Sequence, residues 1–389
     1  MLSVPEASSR TGFWLGLSHL ESEIPRIVAE AVRLAEVPSP TGSEEKRAAL
    51  VRDLMADSLD FCSTDEAGNV MACVKGNSDR PGTVLLAPLD AWYDDSVHPL
   101  IDVRADRLTG PGIVNHAIAL AGLIALARTL KRQPVANLGD VWFVATVGSE
   151  MAGDLRGICH LLPWLPTVAT RVLCLQGPGQ GRLDHWSVGT YRGELNVYAP
   201  GGHCWRDAGR GNALQLAMDF SRRLETLPKP AYPRTLYNPA QLESGDAWNT
   251  LPSRATFRFE LRSDAEPELQ RLIREAQIAA FELCRGHVGC RANLEQKGFR
   301  HATGLYPDHT LVKGMQETQS WAGLNSKLGA SSSDASVCLH YGVAAVTIGL
   351  CQAVGTETHM ETLYLESLPA GLRQAYAGMI QIAGRNTST

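Results

Sequence analysis

The chain alternates between short, unbroken apolar runs and longer stretches whose apolar residues recur at helical spacing. "EIPRIVAEAVRLAEVPSP" (23–40) has a helical apolar stripe and stops at Pro38 and Pro40. "GSEEKRAALVRDLMADSL" (42–59) predicts a second helix, with Ser43 at its N-cap and acids in its first turn. "GTVLLAPLDA" (82–91) is a continuous apolar run, as expected of a strand buried on both faces. "ALAGLIALARTLKR" (119–132) predicts a helix with basic residues in its last turn. "GDVWFVATVGSE" (139–150) and "RVLCLQGP" (171–178) are again buried strands. This alternation predicts a mixed, mostly parallel sheet with helices on both faces, an α/β fold.

The pattern changes near residue 187. "SVGTYRGELNVYAPGGH" (187–203) alternates like an antiparallel strand with one wet face. A helix follows at "NALQLAMDFSRRLETL", then the period-two strand "ATFRFELRS", the helix "PELQRLIREAQIAAFELCR" and the strand "RANLEQKG". After residue 300 the first style returns, with the buried strand "GVAAVTIGL" and the closing helix "ESLPAGLRQAYAGMIQIAG". The chain therefore reads as one α/β domain in two parts, 1–187 and 301–389, interrupted by a small α+β domain at 188–300.

Composition narrows the function classes. A length of 389 residues exceeds what one core usually supports, which agrees with two domains. An apolar content of 44% with 20% charged residues fits a soluble globular protein. The net charge of -5, without a basic block, points away from nucleic acid. The apolar segments read as too short to span a membrane, so no membrane partner is expected. The N-terminal stretch has no basic region leading into an apolar core, so no signal peptide is expected. Nine scattered cysteines without a CxxC pair predict reduced thiols in a cytoplasmic protein.

Candidate chemistry gathers at strand ends. Asp90 closes "LLAPLDA", and Asn115 and His116 follow the turn "LTGPGIVNH". Ser149 and Glu150 end "VATVGSE", Gln176 ends "RVLCLQ", Asp334 lies in "GASSSDAS" and His359 in "GTETHME". Places far apart in sequence that meet on one rim of a sheet make a site. Each is weak alone: Asp90 could cap a turn, and His359 could be a surface histidine.

Together these residues resemble the zinc-dependent M20 peptidases and amidohydrolases. "GPGIVNHAIALAGLIAL", "VATVGSEMAGDLRG", "APGGHCW" with "GRGNA", "NTLPSRATFRFELR" and "SSSDAS" each match a block of that family in order. The resemblance covers nearly the whole chain. It implies a catalytic α/β domain interrupted by a βαββαβ lid that also dimerises, hence a homodimer. It also implies two zinc ions, and the positions that would hold them have changed. Where the family has the histidine of an H-x-D element, the chain has Pro88-Leu89-Asp90. The bridging aspartate is Asn115, the general base and its neighbouring ligand are Ser149 and Glu150, and a later strand-end acid is Gln176. Only Glu150 and His359 keep a ligand of the family's kind.

Zinc takes imidazole, thiolate or carboxylate donors, and a catalytic site keeps about three from the protein. Proline offers none, and an amide is a weak neutral donor. Ser149 cannot take a proton from water unaided at neutral pH. Replacing acids by amides also relieves the repulsion that unmetallated carboxylates would feel. No cofactor and no metal are expected on this reading. The substrate-holding positions persist: His203 matches a lid histidine that steadies an oxyanion in the partner's site, Asn249 a substrate-binding asparagine, and Arg262 an arginine that pairs with a substrate carboxylate. Asn115 and Gln176 join them as hydrogen-bonding groups, while Arg210 and Asn212 order the start of the lid helix.

Three functions stay open. The first is a metal-independent enzyme acting on an acylated amino acid, peptide or related carboxylate, by amide hydrolysis, acyl transfer or cyclisation. Asp90, Glu150 and His359 would carry its acid–base chemistry, with Ser149 a conceivable nucleophile. The second is a mononuclear metallo-amidohydrolase using Glu150, His359 and a further ligand such as His116. The third is a non-catalytic protein that binds or senses a small carboxylate. The persistence of the substrate-holding residues favours the first.

Overall fold

In a computed structural model the chain is described at residues 7–56, 59, 61–94, 96–150, 153–245 and 247–384. It divides into two compact units, Met1–Trp186 with Gly304–Thr389, and Ser187–Thr303.

The first unit is built on a mixed sheet whose strands run in the order Cys62–Thr64, Val70–Val74, Val141–Thr146, Gly82–Pro88, Ala169–Gln176, Ala344–Gly349 and Arg182–Ser187. The four strands from Val141–Thr146 to Ala344–Gly349 are parallel, and the pairs outside them are antiparallel. Every residue of Gly82–Pro88 is buried, because both faces are covered. Leu85 and Ala87 enter one apolar core, with Ile118 and Leu372. Val84 and Leu86 enter the other, with Ile158 and Cys338. The α/β reading of the sequence is the fold observed.

Two expectations need correction. The helix predicted over 42–59 spans Glu45–Ala56, so Glu44 and not Ser43 holds the N-cap position. Its carboxylate accepts from the backbone of Gly42 (3.0 Å) and Gly148 (2.9 Å) and pairs with Arg156 at 2.6 Å. The stretch Ile113–Arg132 is long and apolar enough to cross a membrane, yet Ile113–Leu130 is buried in the unit and only the basic end, Lys131 and Arg132, reaches the surface. From Ile118 onward it is the central helix of the core, Ile118–Arg132, and its small residues let neighbours close in. A Cβ on Gly122 would stand 2.5 Å from a methyl of Leu350. Arg128 on this helix is buried and bonded to both oxygens of Glu30, at 3.0 and 3.2 Å, which ties it to helix Ile24–Glu36.

The second unit is a four-stranded antiparallel sheet in the order Thr235–Ser244, Arg254–Ser263, Gly189–Tyr198, Arg291–Arg300. Helices Ala213–Glu225 and Glu266–Glu282 pack on it. The period-two pattern sets its two faces. Tyr191, Leu195, Val197, Phe257, Phe259 and Leu261 enter the core, while Arg192, Glu194, Arg258 and Glu260 alternate with them. The edge strand Thr235–Ser244 was not legible in the hydrophobic pattern. It is largely exposed and shifts register after Pro239, as edge strands can.

Candidate active site

The parallel strands deliver their C-terminal ends to one rim, where open α/β sheets bind ligands. Asp90 lies just past Gly82–Pro88 and is completely buried. Its Oδ1 accepts from the backbone N–H of Ser149 (3.1 Å). Its Oδ2 accepts from the backbone N–H of Glu150 (2.7 Å) and from the Thr41 hydroxyl (2.8 Å). Asp90 thus pins the turn after strand Val141–Thr146.

Ser149 bridges two carboxylates. While its backbone donates to Asp90, its Oγ donates to Asp334 Oδ1 at 2.9 Å. Asp334 Oδ2 accepts from Thr146 Oγ1 at 2.5 Å. Burial pushes the Asp334 carboxyl above its ordinary range, against the two hydroxyls that favour its charged form. A raised folded-state value means the native protein keeps this proton where the unfolded chain has lost it. Stability from this group therefore falls as pH rises from the ordinary aspartate range, about 4, through the raised value. Asp334→Asn removes that titration, and both hydroxyls can rotate to accept as well as donate. The variant is expected to gain on the parent between pH 4 and pH 7 in urea unfolding. A stability difference that does not move with pH counts against this assignment.

Asn115 and His116 sit in a kinked turn before the central helix. His116 has φ 153°, a strained value for a residue with a Cβ. The turn is held from behind by Glu361, which is fully buried. One Glu361 oxygen accepts from the N–H groups of Val114 (2.9 Å) and Asn115 (3.0 Å). The other accepts from Trp92 Nε1 (2.9 Å) and the Glu357 N–H (3.0 Å). Burial pushes the Glu361 carboxyl up, and these four donors oppose it.

This turn aims two side chains at Glu150. His116 Nδ1 lies 2.7 Å from the Asp90 carbonyl, which can only accept, so Nδ1 carries the hydrogen. His116 Nε2 is 3.4 Å from Glu150 Oε1, and Asn115 Nδ2 donates to the same oxygen at 3.3 Å. His116 is buried, and Glu150 opens on a cavity of about 340 Å³. Asn115 and Gln176 line that cavity too, with Ser331, Ser333 and Thr347. Among the described residues, no group of three or more His, Cys, Asp or Glu is arranged to hold a metal ion.

In the second unit, His203 pairs with Thr250 in a short ladder, and the Cys204 N–H donates to the Asn249 carbonyl at 2.9 Å. The His203 N–H donates to Asp207 at 2.8 Å. Arg262 lies on the strand Arg254–Ser263, its Nε on Glu260 Oε1 at 2.5 Å, and Glu260 also takes Arg192 Nε at 3.0 Å.

Sequence comparison decides what this second unit is. Residues 188–282 match the profile of the peptidase dimerisation domain of the M20 type. The segment is an M20 dimerisation domain. A comparison of the chain with curated protein sequences gives no match. Its fold is similar to that of aminopeptidase PepT from Bacillus cereus, with a TM-score of 0.75 and 17% identity over 92% of this chain and 99% of that one. It is also similar to the di-peptidase Dug1p from Saccharomyces cerevisiae, with a TM-score of 0.75 and 9% identity over 96% and 99%. A third likeness is to the YXEP protein of Bacillus subtilis, a dinuclear metal binding peptidase of the M20 family. There the TM-score is 0.67 and the identity 16%, over 94% and 100%. At these identities the likeness is one of fold.

The structure thus brings Asp90, Asn115, Ser149 and Glu150 together, and sets Gln176 on the same cavity. His359 is exposed and stands edge-on to the Trp92 ring at 5.3 Å, outside the cavity lining. Within the dimerisation domain His203 and Asn249 are neighbours, but Arg262 is not near them. His203 follows the end of Gly189–Tyr198 that pairs with Arg254, and Arg262 pairs with Thr190 at the other end. That separates them by roughly 26 Å, at about 3.3 Å per residue. Glu361, Thr41 and Thr146 carry no sequence signal that marks them out. His116 was legible as the neighbour of Asn115 and as a candidate metal ligand, but not as the partner of Glu150.

Proposed function

We propose that the chain is an M20-type enzyme of amide chemistry that works without the family's two zinc ions, with Glu150 and His116 as its acid–base pair. The observation that carries this reading is the Glu150–His116 contact at the cavity floor. Zinc does not suit the side chains present. Pro88 ends its strand with no donor, Asn115 and Gln176 are amides, and all of Asp90's contacts are N–H or O–H donors. No step is therefore assigned to a metal.

The chemistry follows from the hydrogen bonds. The Asp90 carbonyl fixes the hydrogen on Nδ1, so His116 gains and loses protons only at Nε2, facing Glu150. The pair can take the proton of a nucleophile at Glu150 and return it to a leaving amine. Asp90, Glu361 and Asp334 act as positioning groups. The substrates on this reading are acylated amino acids or small peptides. The dimerisation domain supports a homodimer, to which its exposed edge strand Thr235–Ser244 is suited. Nine cysteines outside any disulfide agree with a cytoplasmic location.

The test is metal content by mass spectrometry on full-length protein purified with zinc supplied. Well under one metal per chain is expected. In a panel of N-acyl amino acids and dipeptides, turnover should survive a chelator and fall about 10²–10⁴-fold in Glu150→Gln. One or two tightly held metals per chain overturn the reading.

A further inference from the structure

We propose that Trp205 and Trp248 anchor the dimerisation domain on a second copy of this chain. The inference rests on the homodimer reading above and gives it a contact surface besides the edge strand.

The chain has eight tryptophans. Trp14, Trp92, Trp142, Trp164, Trp186 and Trp321 each pack on another aromatic ring. Trp205 and Trp248 pack on none among the described residues, and they are 86% and 105% exposed. The fold brings these two together. Gly202 pairs with Leu251 and His203 with Thr250, and the Cys204 N–H donates to the Asn249 carbonyl at 2.9 Å. Trp205 is the next residue beyond that bond on one side, and Trp248 on the other. The ladder stops there because each segment turns. The Asp207 N–H donates back to the His203 carbonyl at 2.9 Å, and the Thr250 hydroxyl to the Ala247 carbonyl at 2.9 Å. The Trp205 N–H donates to His203 Nδ1 at 3.2 Å. Hydrogen bonds thus hold both backbones while both indoles face water. Cys204, Arg206, Ala208, Ala247 and Asn249 around them are exposed as well, so the tip is a projection and not part of a core.

Tryptophan is enriched among the side chains that carry binding energy at protein interfaces. Three observations select a second copy as the occupant. Both residues lie within 188–282, the segment that matches the M20 dimerisation domain. Trp248 is also continuous with the edge strand Thr235–Ser244, from which only residues 245–247 separate it, and that strand has one edge open to pairing. The area agrees too. A two-fold dimer makes each contact twice, so four indoles at about 150–250 Å² each bury roughly 600–1,000 Å². A stable interface needs about 1,200–2,000 Å², which leaves the rest to the strand edge. An anionic membrane fits less well. Arg210 is paired with Asp207 at 3.2 Å, and the tip has no cluster of free cations among the described residues.

The experiment is sedimentation velocity of full-length protein over a range of concentrations, comparing the parent with Trp205→Ser, Trp248→Ser and the double variant. The parent is expected to dimerise. The dissociation constant should rise severalfold or more in each single variant and at least a hundredfold in the double one. Both side chains face water within one copy, so far-UV circular dichroism should be the same in all four proteins. A second measurement follows the indoles themselves. The emission that the parent dimer has and the double variant lacks should be shielded from iodide. Emission as quenchable as that of free tryptophan overturns the proposal. A dimer that the double variant leaves equally tight sinks this inference alone. A parent that stays monomeric at every concentration sinks the homodimer reading beneath it. A monomeric parent that binds phosphatidylserine vesicles through these two residues assigns the tip to a membrane, and that also overturns the proposal.

Discussion

Asp90→Ala is expected to destabilise the folded protein by about 3–5 kcal/mol and to abolish order at the site. The carboxylate accepts three hydrogen bonds inside the protein, from the backbones of Ser149 and Glu150 and from Thr41. Alanine leaves those donors facing a small void. Each stranded donor costs about 1–3 kcal/mol, reduced where water reaches the half-exposed Ser149 and Glu150. Asn at this position keeps one acceptor but turns an N–H toward other N–H groups, so Asp90→Asn should recover only part of the loss. The comparison separates positioning from proton transfer. If Asp90 only positions, activity should track the folded fraction and turn geometry, and the pH profile of any remaining turnover should not shift. Urea unfolding gives the stability. A variant as stable as the parent would show that the bonds to Ser149 and Glu150 carry no weight.

The reach of the sequence is clear from particular residues. "GTVLLAPLDA" announced a central strand because burial on both faces leaves no polar position in it. The rim residues Asp90, Ser149, Glu150 and Gln176 were legible because parallel strands end where ligands bind. Glu361 was not: an acid in a short turn looks the same whether it is solvated or, as here, collects four N–H groups. The His116 orientation was also hidden. It depends on a kinked turn that no local propensity favours and that Glu361 holds from a distant part of the chain. His359 had the right sequence setting but stands on the exposed side of Trp92. The strand Thr235–Ser244 lacked a pattern because one edge and most of its side chains face outward.

Ser149→Glu, which places a glutamate where the M20 resemblance implies a general base, is expected to cost about 2–4 kcal/mol at neutral pH without metal. The present Ser149 donates from Oγ to Asp334 and from its backbone to Asp90. A glutamate accepts only, so buried Asp334 loses one of its two hydroxyl donors. It also adds a like charge beside Asp90, Asp334 and Glu150, and a carboxylate so placed resists ionising. The two contributions can be separated. Ser149→Ala removes the donor without adding charge and should cost about 1–2 kcal/mol. The excess in Ser149→Glu is electrostatic, and it should shrink as pH falls toward 4, because protonation relieves the repulsion. Adding zinc should not rescue the single variant, since Pro88, Asn115 and Gln176 still offer no charged donor. Rescue is expected only when Pro88→His, Asn115→Asp and Gln176→Glu accompany it. Unfolding curves of Ser149→Ala, Ser149→Glu and the combined variant, with and without zinc, test each step. A single Ser149→Glu variant as stable as the parent at pH 7 without metal would mean that the rim tolerates another carboxylate, which overturns the electrostatic argument.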